Sequence, residues 1–134
     1  MRHATPAHRA RNSAFDAFQA THHATYLAYA RAHLPDDLAH DAVHRAFGLI
    51  AGNWSYLVSQ PSPAQEAWTQ LVGCTGSRHR PLPVGALTAL QYDALVLHHR
   101  CGRSVAQTAC VTGVHPSKIR YLLDPSGLAG RHSA

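Results

Sequence analysis

Apolar residues recur at spacings of three and four along most of this chain, the pattern of helices with one buried face. The first such segment runs from Ser13 to Leu34 without Gly or Pro. Its regularly spaced rings are Phe15, Phe18, His22, Tyr26 and Tyr29. No stretch of useful length alternates between apolar and polar residues as a half-buried strand does. The sequence therefore predicts an all-α fold.

Glycine and proline divide the rest of the chain into segments. A second helix is predicted over residues 37–50, with Asp36 or Asp37 as its cap. Residues 73–83 contain two Gly and two Pro, which is typical of a linker. The predicted organisation is a flexible arm over residues 1–12, a helical module over 13–72, the linker over 73–83, a second helical module over 84–125 and a tail over 126–134.

The charge of the chain is unevenly distributed. Its 134 residues include 12 Lys and Arg against 7 acidic residues, a formal net charge of +5. Residues 1–77 hold five Arg and five acids, whereas residues 78–134 hold seven basic residues and two acids. A basic C-terminal part indicates a surface that faces a polyanion such as a nucleic acid. The alternative to a polyanion-binding surface is a basic surface that faces only solvent.

Neither a membrane segment nor a secretory signal is predicted. No apolar run approaches the roughly 18 residues of a membrane span. The first 30 residues carry three Arg and four His without a continuous apolar stretch. The three cysteines form no CxxC pair, which favours a reducing compartment. We therefore expect a cytoplasmic protein without a membrane partner.

Catalytic and metal-binding motifs are missing from the sequence. There is no Gly-rich phosphate loop, nucleophile elbow or HExxH motif. His40 and His44 have the i, i+4 spacing of a two-ligand clip, but no second pair at a structural-zinc spacing accompanies them. We therefore expect no enzymatic activity, no metal site and no cofactor.

Residues from Ser104 to Leu123 have the pattern of a helix-turn-helix. Ser104 is placed to cap a short helix, and Gly113 to supply the positive φ of a tight turn. Pro116 suits the first position of the second helix. That helix would present a polar and basic face, which suits phosphates and base edges. The candidate DNA-binding residues are Arg103, Ser104, His115, Ser117, Lys118, Arg120 and Tyr121.

This part of the chain resembles a known family. The matching stretches are residues 87–97 (LTALQYDALVL), 101–109 (CGRSVAQTA) and 112–120 (TGVHPSKIR). They are similar to region 4 of bacterial sigma factors, in the style of the extracytoplasmic-function (ECF) group. The resemblance implies that this module binds the −35 element of a promoter with its second helix inserted.

The N-terminal half resembles region 2 of the same family. The matching stretch, residues 29–47, reads YARAHLPDDLAHDAVHRAF. In the family, its second helix docks on the largest subunit of RNA polymerase, which implies polymerase contacts at Asp41, His44 and Arg45. The last two replace the Gln and Glu of the family. In the family, a segment that melts the promoter and reads its −10 element follows this helix. The equivalent stretch here, residues 60–80, is interrupted by Pro and Gly. Trp68 is its candidate base-stacking residue.

The sequence thus predicts a sigma-factor-like transcription regulator that binds promoter DNA and the RNA polymerase core, with an anti-sigma factor as a further candidate partner. An alternative is a protein-interaction module of sigma-like fold that binds polymerase, an anti-sigma factor or another regulator without DNA. A third is a helical protein that responds to metal or pH through its 12 histidines. If Arg103, Lys118 and Arg120 are exposed on one face, that arrangement favours the DNA-binding regulator over the interaction module.

Overall fold

The computed structural model describes residues 6–124, with side chains from Ser13 onward, and contains no strand in that range. Its helices are α1 (Pro6–His33), α2 (Asp36–Gly52), α3 (Trp54–Val58), α4 (Pro63–Thr75), α5 (Ala89–Leu95), α6 (Val105–Thr112) and α7 (Pro116–Leu123). After α5 the chain widens into one π-helical turn, Val96–Arg100. The prediction of an all-α fold is confirmed. None of the helices between residues 6 and 124 has both the length and the apolar character that a membrane crossing requires.

Helix α1 begins earlier than predicted. The backbone of residues 6–12 is helical, so the expectation of a flexible arm is wrong for that part. Pro6 suits a first helical position, and the Ala and Arg residues that follow are strong helix formers. Residues 1–5 and the predicted tail over 126–134 lie outside the described residues.

The corner between α1 and α2 also differs from the prediction. Pro35 occupies the capping position of α2, and no side chain caps the helix. Asp36 instead accepts a hydrogen bond of 2.6 Å from Arg31 Nε. Asp36 and Asp37 both lie inside the first helical turn, where their charges favour the helix dipole. The expectation that one of them caps α2 is therefore wrong.

The main core lies between α1, α2 and α4. Tyr26 stacks on Phe47 with ring centroids 5.1 Å apart, and Tyr29 meets the edge of Trp68 at 4.8 Å. Aromatic pairs in these geometries add to the stability that burial alone provides. The regularly spaced rings of α1 are thus the residues that hold the N-terminal helices together.

Residues from the C-terminal half complete this same core. Tyr92, Val96, Leu97 and Val111 are buried in one cluster with the residues of α1, α2 and α4. The expected division into separate modules over residues 13–72 and 84–125 is therefore corrected. Each half alone would bury too little apolar surface, and sharing one core removes that deficit.

The expected linker over residues 73–83 is corrected in the same way. Helix α4 continues through Gly73 to Thr75 and ends at Gly76, which adopts the left-handed conformation with φ 71°. The loop that follows buries Ser77 completely. This segment packs on the core rather than spanning a gap between two bundles.

A smaller core joins α5, α6 and α7. It consists of Ala94, Ala109, Ile119 and Leu122, which are all buried. The small side chains of Ala94 and Ala109 let the three helices approach closely. Helix α6 is thus supported on both sides, by the main core through Val111 and by this smaller core, whereas α7 packs on the smaller core.

The local signals of the predicted helix-turn-helix are confirmed. The Ser104 hydroxyl accepts a hydrogen bond from Gln107 N–H, and the Gln107 side chain accepts one from Ser104 N–H, which forms a complete capping box. Gly113 follows α6 with φ 72°, and Pro116 occupies the first turn of α7.

Gly113 also lies against the start of α4. A Cβ atom at this position would be 2.6 Å from both the Gln65 nitrogen and the Ser62 Oγ. Ser62 Oγ donates a hydrogen bond of 3.3 Å to the Gly113 carbonyl. Only glycine therefore satisfies both the backbone conformation and the close approach of α4.

We predict that Gly113→Ala destabilises the protein more than Gly102→Ala. Both glycines have positive φ, but a Cβ at Gly102 would meet no atom within 4 Å. Each change costs about 1–2 kcal/mol of backbone strain, and the clash at Gly113 adds on the order of 1–3 kcal/mol. Urea unfolding measures both values, and equal losses of stability would contradict the contact with α4.

Candidate functional site

Helix α7 presents a polar face to solvent. Ile119 and Leu122 are buried in the smaller core, whereas Ser117, Lys118 and Arg120 are exposed. The helix is therefore held from one side, and its two cations project from the other. These three exposed side chains have the outward placement predicted for them.

Two other candidate residues of α7 are partly committed to the fold. His115 precedes the helix and caps it, because its Nδ1 lies 3.1 Å from Ser117 N–H and 2.8 Å from Ser117 Oγ. The exposed ring keeps its Nε2–H as a donor. Tyr121 is half-buried against the smaller core, which corrects its predicted outward position. An aromatic ring at this point adds apolar contact area.

Arg103 and Ser104 lie at the start of α6. Arg103 is half-buried, and its Nε is buried without a hydrogen-bond partner. The carbonyl of Arg103 accepts a hydrogen bond of 2.8 Å from His98 Nδ1, which fixes the turn before the helix. The Ser104 hydroxyl serves as the cap of α6. Arg103 is thus less exposed than Lys118 and Arg120.

The charge of the described residues separates along the chain. Residues 13–75 hold two Arg and five acids, whereas residues 76–124 hold six Lys and Arg and two acids. One of those two acids, Asp93, is only 2% exposed. Because Asp93 pairs with Arg78, five cations and one acid of residues 76–124 lie outside that pair.

The Asp93 carboxylate accepts hydrogen bonds from three side chains of different elements. Arg78 donates to both of its oxygens, at 2.9 and 2.6 Å. The Tyr29 hydroxyl donates to Oδ1 at 2.8 Å, and the Trp68 indole N–H donates to Oδ2 at 2.9 Å. Ser77 Oγ lies 2.8 Å from the Tyr29 hydroxyl and extends the network. The buried carboxylate is therefore fully hydrogen-bonded.

A second polar contact lies beside this network. His33 Nδ1 donates to the Tyr29 carbonyl at 2.9 Å, so Nε2 is the acceptor for the Tyr92 hydroxyl. The Tyr92 hydroxyl also accepts a hydrogen bond from Leu82 N–H. Burial lowers the pKa of His33 and raises the pKa of Tyr29. Both groups are therefore held in their neutral forms at neutral pH.

The predicted polymerase-binding residues are exposed on α2. Asp41 and His44 line a cleft of about 310 Å³ between α1 and α2, together with Gln19, His23 and His40. Its floor is formed by Val43 and Phe47, which are buried. Arg45 lies apart from the cleft, and its Nη2 donates to the Cys74 carbonyl of α4 at 3.2 Å. The structure thus brings Asp41 and His44 together and turns Arg45 towards α4.

Two further expectations concern the histidines and Trp68. Among the described residues, no group of three or more His, Cys, Asp and Glu side chains is placed to hold a metal ion. Trp68 is 5% exposed, and its indole N–H is bound to Asp93. A base cannot stack on a buried ring, so the interpretation of Trp68 as a base-stacking residue is wrong.

Sequence reasoning missed Asp93, although the sequence contains a signal for it. Asp93 interrupts a run of apolar and aromatic residues on a predicted helix, between Tyr92 and Ala94. A single carboxylate in such a position is either exposed or buried with a cation. Nothing in the sequence shows that Arg78 is that cation, because the pairing depends on how the loop folds back.

Comparison with known proteins gives no match. No protein-family model, curated protein or solved structure matches this chain. The likeness to sigma factors is therefore a hypothesis that rests on the sequence motifs alone.

We predict that stability falls as the solution becomes acidic, in part through His33. Its pKa is lowered on folding, so the unfolded chain binds the proton more readily. The contribution of His33 to the free energy of unfolding is fully present above the unfolded pKa near 6.5, and it is lost as the pH falls below that value. His22, whose pKa burial also lowers, contributes in the same direction.

His33→Gln should reduce this pH dependence, because it removes a group whose pKa is lowered on folding. The measurement is the free energy of unfolding between pH 5 and pH 8. An unaltered slope in His33→Gln would contradict the neutral His33 that the structure indicates.

Proposed function

We propose that this protein is a sigma-factor-like transcription regulator. It binds promoter DNA through α7 and the RNA polymerase core through α2, and it makes or breaks no covalent bond. The observation that carries the proposal is the exposed pair Lys118 and Arg120 on a helix anchored by Ile119 and Leu122. Because its proposed partners are promoter DNA and RNA polymerase, the proposed location of the protein is the cytoplasm.

The support for DNA binding is physical. A short helix held by its apolar face, with cations and hydroxyls outward, is the arrangement that reads base edges in a major groove. The start of α6 adds Arg103 and Ser104, which suit contacts to the phosphate backbone. The excess of basic residues over residues 76–124 favours the approach of a polyanion.

The support for a protein partner comes from α2 and α3. Leu38 and Leu49 are about half exposed on α2, and Tyr56 is 60% exposed on α3. Asp41 and His44, which line the cleft between α1 and α2, add exposed polar groups on the same helix α2. Apolar area with nearby polar groups is typical of protein interfaces. The proposed partner is the RNA polymerase core, and an anti-sigma factor is a second candidate for this surface.

The DNA proposal predicts different effects for the two cations of α7. Lys118→Ala should weaken binding to every duplex and lower the salt slope by about one unit, as the loss of a phosphate contact does. Arg120→Ala should cost roughly 1–3 kcal/mol on the preferred site and reduce discrimination there. Fluorescence anisotropy at several salt concentrations, with specific and random duplexes, measures both effects.

Arg31→Ala is the matched control, because Arg31 is exposed at the opposite end of the sequence and pairs with Asp36. It should bind both duplexes as the wild type does. If the double variant Lys118→Ala/Arg120→Ala also binds like the wild type, α7 is not the reading helix. The interaction module without DNA would then be the better account.

The polymerase proposal predicts that Asp41→Ala weakens capture of the RNA polymerase core by the purified protein. Asp41 is exposed on α2, so circular dichroism should be unchanged. Asp37→Ala, on the same helix but outside the cleft, is the control and should retain capture. Equal capture by both variants would remove the role assigned to Asp41.

A further inference from the structure

The Asp93 network connects the helix-turn-helix to the N-terminal helices. Asp93 belongs to α5, and its partners belong to α1, α4 and the loop after α4. Helix α5 in turn packs on α7 through Ala94 and the smaller core. The carboxylate therefore lies at the junction between the reading helix and the rest of the protein.

The bonds to Asp93 outnumber the other directional contacts at this junction. Val96, Leu97 and Val111 contribute apolar contacts, which depend on area and only weakly on direction. The other hydrogen bonds across the junction are single ones, from Tyr92 to His33 and from Ser62 to the Gly113 carbonyl. A two-bond pair between a guanidinium and a carboxylate fixes both distance and angle. The indole and phenol hydrogen bonds add two further directions. Asp93 is thus the junction residue with the most directional contacts.

Arg78 is itself held in place. Its guanidinium lies 5.9 Å from the centre of the Tyr92 ring, and Tyr92 is bound to His33 of α1. The Asp93 hydrogen bonds raise the pKa of Arg78, which keeps the pair charged. The Arg78 side chain is 38% exposed, whereas the Asp93 side chain is 2% exposed, so the pair meets water from the Arg78 side.

Helix α2 packs on α1 and α4, the two helices that carry Tyr29 and Trp68. Phe47 of α2 stacks on Tyr26 of α1, and Tyr26 contacts the Trp68 ring of α4 at 5.8 Å. The groups that orient Asp93 are therefore rigidly related to the surface that carries Asp41 and His44.

We propose that Asp93 is a positioning residue: with Arg78 it fixes the orientation of α6 and α7 relative to α2, so that the DNA-binding and protein-binding surfaces act as one rigid unit. The orientation is a property of the fold, and its consequence for binding rests on the proposed function. A rigid unit binds DNA and polymerase together more tightly than two loosely connected surfaces do.

The experiment measures the distance between α2 and α6 in the full chain. Cys110 is exposed on α6 and takes one label, and Ala51→Cys on α2 takes the other. Cys74 and Cys101, which are half-buried, are replaced by Ala in every sample. Pulsed electron paramagnetic resonance then gives the distribution of distances.

Three variants test the network in this background. Asp93→Asn removes the charge and replaces an acceptor oxygen by a donor. Arg78→Lys keeps the positive charge but loses the two-bond geometry of the guanidinium. If Asp93→Asn does not fold, Arg78→Lys alone tests whether the network fixes the orientation. Asp16→Asn is the same chemical change at an exposed site of α1 and serves as the control.

We expect a single narrow distribution in the wild type and in Asp16→Asn, and a broader or displaced one in Arg78→Lys and Asp93→Asn. Binding of the duplex alone should stay within about twofold in Arg78→Lys, because the smaller core is intact. The gain in duplex affinity on adding RNA polymerase core should fall by about tenfold.

Narrow, unchanged distributions in both network variants would overturn the proposal. A broadened distribution combined with an unchanged gain from polymerase would overturn the coupling of the two surfaces. If the wild type binds no DNA at any salt concentration, the proposed function fails, and the distance distributions still decide whether Asp93 fixes the orientation.

Discussion

A carboxylate that is 2% exposed, on the first helix of the C-terminal half, constrains most of this structure. An unpaired charge in that position would be very costly, so Asp93 requires a cation and further donors around it. Arg78 can reach it only if α4 ends at Gly76 and the next residues fold back over the core. Tyr29 and Trp68 must then face α5, which sets how α1 and α4 pack. The shared core and the buried network are therefore two aspects of one arrangement.

This arrangement places two surfaces of opposite character on one molecule. Residues 13–75 carry more acids than cations, and residues 76–124 carry more cations than acids. The exposed apolar side chains of α2 and α3 belong to the first part, and the exposed cations of α7 belong to the second. We propose that the first surface binds RNA polymerase and the second binds promoter DNA. The common core keeps both surfaces at a defined separation.

The parts that were predictable from sequence are those that local chemistry determines. Ser104, Gly113 and Pro116 act within one helical turn of their own positions, and the cap, turn and helix start they predict are confirmed. The start of α1 and the pairing of Asp36 with Arg31 were missed, because several local solutions compete there. The Asp93 network was out of reach for a different reason. It joins positions that are 15 to 64 residues apart, and a helical periodicity contains no information about such pairings.

The most direct test of the common core is equilibrium unfolding in urea followed by two probes. Tryptophan fluorescence reports on the N-terminal helices, since Trp54 and Trp68 are the two tryptophans of the chain. An environment-sensitive dye on Cys110, with Cys74 and Cys101 replaced by Ala, reports on α6. A shared core predicts coincident transitions with the same midpoint and slope. A dye transition at a lower urea concentration than the tryptophan transition would show that the helix-turn-helix unfolds separately, and would contradict the account.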